Sequence, residues 1–427
     1  MKGRYAMRDR RSDRSTRRTF LRRLAGLGLL ATIPRISGAA SRHSGGSQLA
    51  QDRETTDHEA AIRLFVCGDV MTGRAIDQVL PHPGDPRLHE PYVRDARRYV
   101  QLAEAVNGPI GEPVDFADIW GEALEALARL EPDIRLINLE TAITASNTPW
   151  TGKGIHYRMH PRNLPAISAA GIHCCSLANN HVLDWGHGGL AETLTSLHRA
   201  GIATAGAGND LEEACAPAIL DVPPKGRVIV LALAHRSSGV PHSWAAQPER
   251  PGVCLITDLS ERTAERIAPR LGGLKQAGDI LVVSVHWGGN WGYEIPAEQR
   301  RFAHALVDDA GVDLVHGHSS HHVKGIEVYR GRLILYGCGD FFNDYEGISG
   351  YEELRGDLSL MYFPTLDPPS GRLTALRMIP TQVRRFRVKR ASEADTRWLR
   401  QRLSREGERF GTGVEVLADR SLTLRWG

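Results

Sequence analysis

From residue 61 onward, short apolar runs alternate with longer segments whose apolar residues recur at helical spacing. The runs Ile62–Cys67, Ile134–Asn138, His173–Leu177, Val228–Ala234, Ile280–His286, Val312–His316, Gly325–Tyr329 and Leu333–Cys338 read as strands. Helix-like segments lie between them at Ile119–Leu130, Pro161–Ala170, Leu190–Ala200, Ser260–Gln276 and Pro296–Ala310. Strands alternating with helices of this length predict a mainly parallel sheet covered on both faces. Near the end, Ile326–Tyr329 and Leu333–Tyr336 flank Arg330-Gly331-Arg332, so the late strands form a hairpin about a glycine turn.

Two stretches break the alternation. Residues 81–115, with repeated Pro, Gly and charge, form a long connection that reads either as a lid over a site or as a disordered surface insertion. The charged, amphipathic stretch 391–410 reads as a surface helix. The expected division is one large domain over 61–385 and a C-terminal helical extension over 386–427, with a Ser/Gly/Gln-rich spacer over 41–60 in front.

Charge changes the picture at the N-terminus. Arg17-Arg18-Thr19-Phe20-Leu21-Arg22 precedes the apolar run Leu24–Ala31, and the small residues Gly38-Ala39-Ala40 follow, which reads as a twin-arginine export signal over 1–40. The apolar run is shorter than the ~20 residues a bilayer span requires. The protein is therefore expected to be periplasmic or extracellular, or membrane-anchored if the signal is retained. Residues 1–40 carry eleven basic and two acidic residues, a surplus of nine, so the formal charge of the remainder falls from +3 to −6. A mildly acidic chain lacks the basic footprint of a nucleic-acid partner. The six cysteines, at 67, 174, 175, 215, 254 and 338, show no zinc-type spacing, and several sit inside apolar runs, so all are expected to be buried free thiols.

Candidate chemistry gathers at strand ends. Val315–His322 places four imidazoles (His316, His318, His321, His322) directly after a strand-like run. Neutral imidazole is a common metal ligand, and α/β proteins place their chemistry at the C-terminal ends of strands. Four other strand ends add polar groups: Asp69; Asn138 and Glu140, on one side by strand alternation; Asn179-Asn180-His181, with Asp184 beyond; and His286. Converging on one cleft, such oxygen and nitrogen donors suit one or two divalent ions of zinc, manganese or iron. Ions there orient a phosphate or carbonyl and lower the pKa of bound water to about 7, leaving a nearby His as general acid.

The succession Gly68-Asp69-Val70-Met71, Asn138-Leu139-Glu140, Ala178-Asn179-Asn180-His181, Val285-His286-Trp287-Gly288 and Gly317-His318-Ser319-Ser320-His321 resembles the CapA family, named for capsule and poly-γ-glutamate synthesis. The likeness runs from about Leu64 to Phe363 and includes Lys153–Met159, Gly206-Ala207-Gly208 and Leu335–Phe341. It implies the calcineurin-like metallophosphoesterase fold, an α/β (α+β) protein built as a four-layer α/β/β/α sandwich with mixed sheets, in place of the single sheet the pattern predicts. By the same resemblance Asp69, Glu140, Asn180, His286, His318 and His321 are the metal ligands, and His181 is the acid or phosphate contact; Asp184, three residues on, either orients His181 or caps the Gly188–Ala200 helix. Met71 stands where the wider pattern Asp-x-His has its histidine, which weakens one of two metal positions. The last histidine motif is one residue longer than Gly-His-x-His, and Val182 replaces an acid after His181.

Further groups are assigned to substrate. Asn138 flanks the site, and Lys153 and Arg158 suit an anionic group, the alternative being ordinary surface cations. Trp287 and Trp291 read as an aromatic wall or as core packing. His316 and His322 are left as supporting or solvent-facing. The expected function is that of an exported protein in synthesis, processing or export of an anionic capsule or envelope polymer of the poly-γ-glutamate type, with a metal-dependent phosphoesterase-like site. The alternative is a non-catalytic polymer-binding accessory protein with a structural metal. The expected partners are an anionic polymer or phosphoester, the twin-arginine translocase and membrane-bound polymer synthase components.

Overall fold

The computed structural model describes residues 60–111 and 113–427, so the export signal and residues 41–59 of the spacer lie outside the described residues. In chain order the strands of the two large sheets are β1 (Ile62–Val70), β2 (Ile134–Leu139), β3 (Cys174–Ser176), β4 (Ala203–Ala205), β5 (Ala218–Val222), β6 (Gly226–His235), β7 (Leu255–Ile256), β8 (Ile280–His286), β9 (Leu314–His318), β10 (Ile326–Tyr329) and β11 (Arg332–Leu335). They continue with β12 (Asp340–Phe342), β13 (Leu358–Asp367), β14 (Arg372–Arg384), β15 (Arg387–Arg390), β16 (Thr412–Val416) and β17 (Leu422–Trp426). The main helices are α1 (Arg97–Asn107), α2 (Ala123–Leu130), α3 (Gly186–Arg199), α4 (Glu261–Gly272), α5 (Ala297–Asp308) and α6 (Glu393–Gly407).

The first four strands and the last six form a ten-stranded sheet ordered β16-β17-β14-β13-β1-β2-β3-β4, with β12 beside β1 and β15 beside β14. The middle seven form a second sheet ordered β7-β6-β8-β9-β11-β10, with β5 on β6. Both sheets are mixed. β1 to β4 run parallel while β13 runs antiparallel to β1, and β6, β8, β9 and β11 run parallel while β10 returns antiparallel. The protein is thus a mixed α/β sandwich, as the resemblance implied and the bare alternation did not.

Side-chain alternation explains why the second sheet is apolar throughout. Val228, Val230, Ala232, Val282, Leu314 and Leu335 face the larger core, between the sheets. Ile229, Leu231, Leu233, Val283, Val285, Val315 and Ile334 point the other way, into a smaller core with Phe302, Ala303 and Leu306 of α5. A strand buried on both faces reads as a continuous hydrophobic run. Ser260 caps α4, its Oγ accepting from Thr263 N at 3.3 Å, and the helix stops at Gly272 rather than continuing to Gln276.

Several expectations need correction. Pro161–Ala170 is not one helix: a 3₁₀ turn over Pro161–Asn163 is followed by a one-turn helix at Pro165–Ser168, each begun by a proline that has no N–H for an upstream carbonyl. Residues 386–427 are not a helical extension. The surface helix is present as α6, but β15, β16 and β17 carry the first sheet to its edge. The described part of 81–115 is folded rather than loose, with α1 burying Tyr99, Val100 and Ala103 in the larger core. Among the described residues no helix is long and apolar enough to cross a membrane.

Cys67, Cys174, Cys175 and Cys338 are buried free thiols, but Cys215 and Cys254 are joined in a disulfide. Both pack in the smaller core, and spacing alone carried no sign of the pairing. The cross-link spans a sequence separation of 39. Its removal by Cys215→Ser is expected to lower the unfolding free energy by about 3 kcal/mol, read by denaturant titration, and dithiothreitol should shift the wild type equally.

Candidate metal centre

The two sheets bring five strand ends together. In the first sheet Asp69 of β1 lies in register with Asn138 of β2 on one side and with Asp340 of β12 on the other. In the second, His286 of β8 is in register with His318 of β9. Both histidines occupy inward positions, and His318 Nδ1 reaches within 3.8 Å of Asp69 Oδ1. Gly68 lets the backbone that leads into β12 lie against β1. A Cβ there would sit 1.6 Å from the carbonyl oxygen of Gly339, the atom that accepts from Asp69 N at 2.9 Å. After His318 the chain turns at Ser319, whose φ of 101° is a strained value for a side-chain-bearing residue, and its N–H donates to Asp69 Oδ2 at 3.2 Å.

Two buried ligand groups result, Asp69/His286/His318 and Asp69/His321/Asp340, with ligand atoms within 4.8 Å of one another in each. Asp69 belongs to both. His286 Nδ1 and His318 Nδ1 face each other at 2.8 Å beside the Asp69 carboxylate. Two ring nitrogens at that spacing need a shared proton or a cation between them. Burial holds both rings well below the ordinary histidine range, so they are neutral, with lone pairs to offer. On the acid side, burial and then Asp340 push the Asp69 carboxyl up to about 7, and burial and then Asp69 raise Glu140. Burial pulls the His321 ring down, but Asp340, at 2.9 Å, outweighs it and holds the ring above its ordinary value. Carboxylates crowded out of water among neutral imidazoles fit a divalent cation of the zinc, manganese or iron type.

Of the expected ligands, Asp69, His286 and His318 come together, and His321 joins through Asp340. Glu140 and Asn180 turn to the other nitrogen of His286, with Asn180 Oδ1 at 3.1 Å and Glu140 Oε1 at 3.9 Å from Nε2. His181 Nδ1 lies 2.6 Å from Asp184 Oδ2, and its Nε2 lies 3.8 Å from Glu140 Oε1. Asp184 thus orients His181 and does not cap α3. Burial and then the Lys153 charge push the His181 ring down to about 4. A neutral ring whose Nδ1–H is held by Asp184 leaves Nε2 bare, with a lone pair to offer.

The substrate assignments fare differently. Asn138 is fully buried, donating to Asp69 Oδ1 at 2.7 Å and Glu140 Oε2 at 3.2 Å, so it holds the carboxylates and offers nothing outward. Lys153 spends its donors on Asp184 and the Asn180 carbonyl, with His181 Nδ1 at 3.1 Å. Arg158 is bound to Ser146 O, to Asn147 Oδ1 at 2.9 Å and to Asp85 O at 2.8 Å, with its guanidinium over the Trp185 ring. Neither is a free surface cation. Trp287 follows inward-facing His286 and therefore points outward, into the smaller core, with Nε1 donating to Tyr336 O at 3.0 Å. Trp291 does flank the site. It is half-buried, stacked on Tyr351 at 4.3 Å, with its ring 5.1 Å from that of His321. His322 is buried against Trp291, and His316 is buried between the sheets.

Sequence reasoning missed Asp340, although Gly339-Asp340 after an apolar run repeats the pattern of Gly68-Asp69. It also assigned no role to Arg74, which binds Asp344 and Glu90 directly behind the centre.

The family described as bacterial capsule synthesis protein PGA_cap matches residues 63–345. A relative from Mycobacterium tuberculosis (strain ATCC 25618 / H37Rv), named "Probable polyglutamine synthesis accessory protein Rv0574c", is 51% identical over 364 residues, covering 85% of this chain and 96% of its own. "PGA biosynthesis protein CapA" of Bacillus subtilis (strain 168) is 29% identical over 69% of this chain and 66% of its own. "Capsule biosynthesis protein CapA" of Bacillus anthracis is 24% identical over 66% and 60%.

Proposed function

The chain belongs to the PGA_cap family of bacterial capsule synthesis proteins, and from that premise we propose an exported accessory factor in synthesis, processing or export of a polyglutamate-type anionic polymer, carrying a metal-dependent phosphoesterase-like site. The polymer half rests on the names of the relatives. The chemical half rests on one observation, the Asp69 carboxylate shared by two buried ligand groups where the sheets meet. Asp69, His286 and His318 hold the divalent ion, manganese, zinc or iron. When bound, the ion polarises a phosphoryl oxygen and lowers the pKa of water. Asn138 fixes the Asp69 carboxylate, and Asp184 fixes His181 so that Nε2 takes a proton from the attacking water. The substrate is an anionic polymer or phosphoester, and the partners are membrane-bound synthase components and, during export, the twin-arginine translocase.

Protein purified without chelator is expected to carry near-stoichiometric metal and to hydrolyse a simple phosphomonoester or phosphodiester. Failure to bind added manganese or zinc would sink the metal site. Metal bound without hydrolysis of any phosphoester would favour the second reading, a polymer-binding accessory protein with a structural metal. One observation favours that reading: Lys153 and Arg158 are both neutralised or bound within the fold. Export is tested separately, since Arg17→Lys with Arg18→Lys is expected to retain the protein in the cytoplasm, and undiminished export would refute the twin-arginine route.

A further inference from the structure

Behind the ligand pair, β8 and β9 place three side chains in a row on the face that meets the first sheet. His316 Nε2 lies 2.7 Å from the carbonyl oxygen of Cys67 on β1. His316 Nδ1 lies 3.1 Å from Ser284 Oγ, and the same Oγ lies 2.9 Å from His318 Nε2. His316, Ser284 and His318 are all fully buried.

Only one assignment of hydrogens satisfies this row. A carbonyl oxygen accepts and cannot donate, so Nε2 of His316 carries its hydrogen. Among the described residues His316 makes no ion pair with a carboxylate, and a buried imidazole without a counter-charge stays neutral. Its Nδ1 is therefore bare and accepts the Ser284 hydroxyl hydrogen. That hydroxyl has one hydrogen, now spent, so toward His318 it offers only a lone pair, and His318 must donate through Nε2. A neutral His318 with its hydrogen on Nε2 has a bare Nδ1. That is the atom 2.8 Å from His286 Nδ1 and 3.8 Å from Asp69 Oδ1.

We infer that the Cys67 carbonyl, His316 and Ser284 form a one-directional hydrogen-bond relay that locks His318 in its Nε2–H tautomer and so presents Nδ1 to a cation. His316 and Ser284 are positioning residues, and the relay starts from a backbone acceptor in the facing sheet. The inference rests on the metal reading given above, but the tautomer is a property of the metal-free chain. Partners of this kind typically change metal affinity 10- to 100-fold when removed.

The experiment has two arms. Ser284→Ala is expected to weaken manganese or zinc binding roughly 10- to 100-fold in chelator competition, with Ser284→Thr, which restores the hydroxyl, recovering most of the loss. In full-length, metal-free wild type labelled with 15N-histidine, the His318 ring, assigned by comparison with His318→Ala, should show a protonated Nε2 and an unprotonated Nδ1, and Ser284→Ala should mix the two tautomers. A wild-type His318 protonated at Nδ1, or unchanged metal affinity in Ser284→Ala, overturns the relay. If the wild type binds no metal, the functional reading fails, while the nitrogen spectrum still decides the relay.

Discussion

Asp69→Asn is expected to abolish stabilisation by metal while leaving the metal-free protein, above neutral pH, at least as stable as the wild type. The two effects have opposite signs because the carboxylate is costly to bury and is needed only when a cation shares it. Asp69 is fully buried and faces Asp340 across adjacent strands, and its carboxyl is pushed up to about 7 from 3.8. A group whose folded pKa is raised contributes stability that is complete below the unfolded value and is lost as pH rises through the folded one. The metal-free wild type should therefore lose stability from about pH 4 to about pH 7, and the variant, which keeps the raised Glu140 and His321 but lacks this carboxyl, should lose less over that range. The amide keeps an acceptor for Asn138 but loses one for Ser319 N, at 3.2 Å, which offsets part of the gain by about 1 kcal/mol. With metal at a hundred times its dissociation constant the wild type gains about 2.7 kcal/mol, and the variant gains none because both ligand groups lose their common member. Thermal unfolding with EDTA and with manganese, at pH 5 and pH 8, reads all four values. A variant that metal stabilises as much as it does the wild type removes Asp69 from the centre.

What could be read from the chain follows what each element owes to its own sequence. β1, β2, β6, β8 and β9 are largely buried on both faces, so each reads as a mostly apolar run in the sequence, and at β1, β2, β8 and β9 an Asp, Asn or His at the end marks the site. β14 is half exposed, and Arg372, Thr374, Ala375 and Arg384 interrupt its apolar positions. Its place in the sheet comes from pairing with β13 and β17, information that is spread along the chain. The same holds at the centre. Trp287 was assigned to the site by adjacency to His286, whereas strand alternation sends neighbours to opposite faces. Lys153 and Arg158 have charges that suit an anion, and only the folded chain shows Asp184, Ser146 and Asp85 already holding them. Asp340 was missed because it gains its meaning from register with Asp69, which a linear reading does not contain.

The largest loss of fold stability is expected at a residue outside the ligand set. Arg74→Met should lower the unfolding free energy by about 3–5 kcal/mol. The Arg74 guanidinium is 3% exposed and forks onto Asp344, with Nε at 2.9 Å and Nη2 at 2.5 Å, while Nη1 holds Glu90 at 2.9 Å. It lies over the rings of Tyr99 and Tyr157 at 4.1 and 4.5 Å. Truncation leaves two buried carboxylates without a counter-charge, and that desolvation, more than the lost attraction, sets the size of the effect. Arg74→Lys should fall between, since a point charge cannot reproduce a bidentate fork. Two consequences separate this cause from simple loss of packing. Arg74→Met combined with Asp344→Asn and Glu90→Gln should regain part of the loss, because the stranded charges are gone. Metal affinity should also fall without any ligand being touched, because Tyr157 packs edge-on against His181 at 4.6 Å and Tyr345 against His321 at 5.3 Å. Denaturant unfolding and chelator competition measure the two. A loss below about 1 kcal/mol in Arg74→Met, the range of an exposed ion pair, would show that water reaches Asp344 and Glu90 and that the cluster does not anchor the 81–115 segment to the centre.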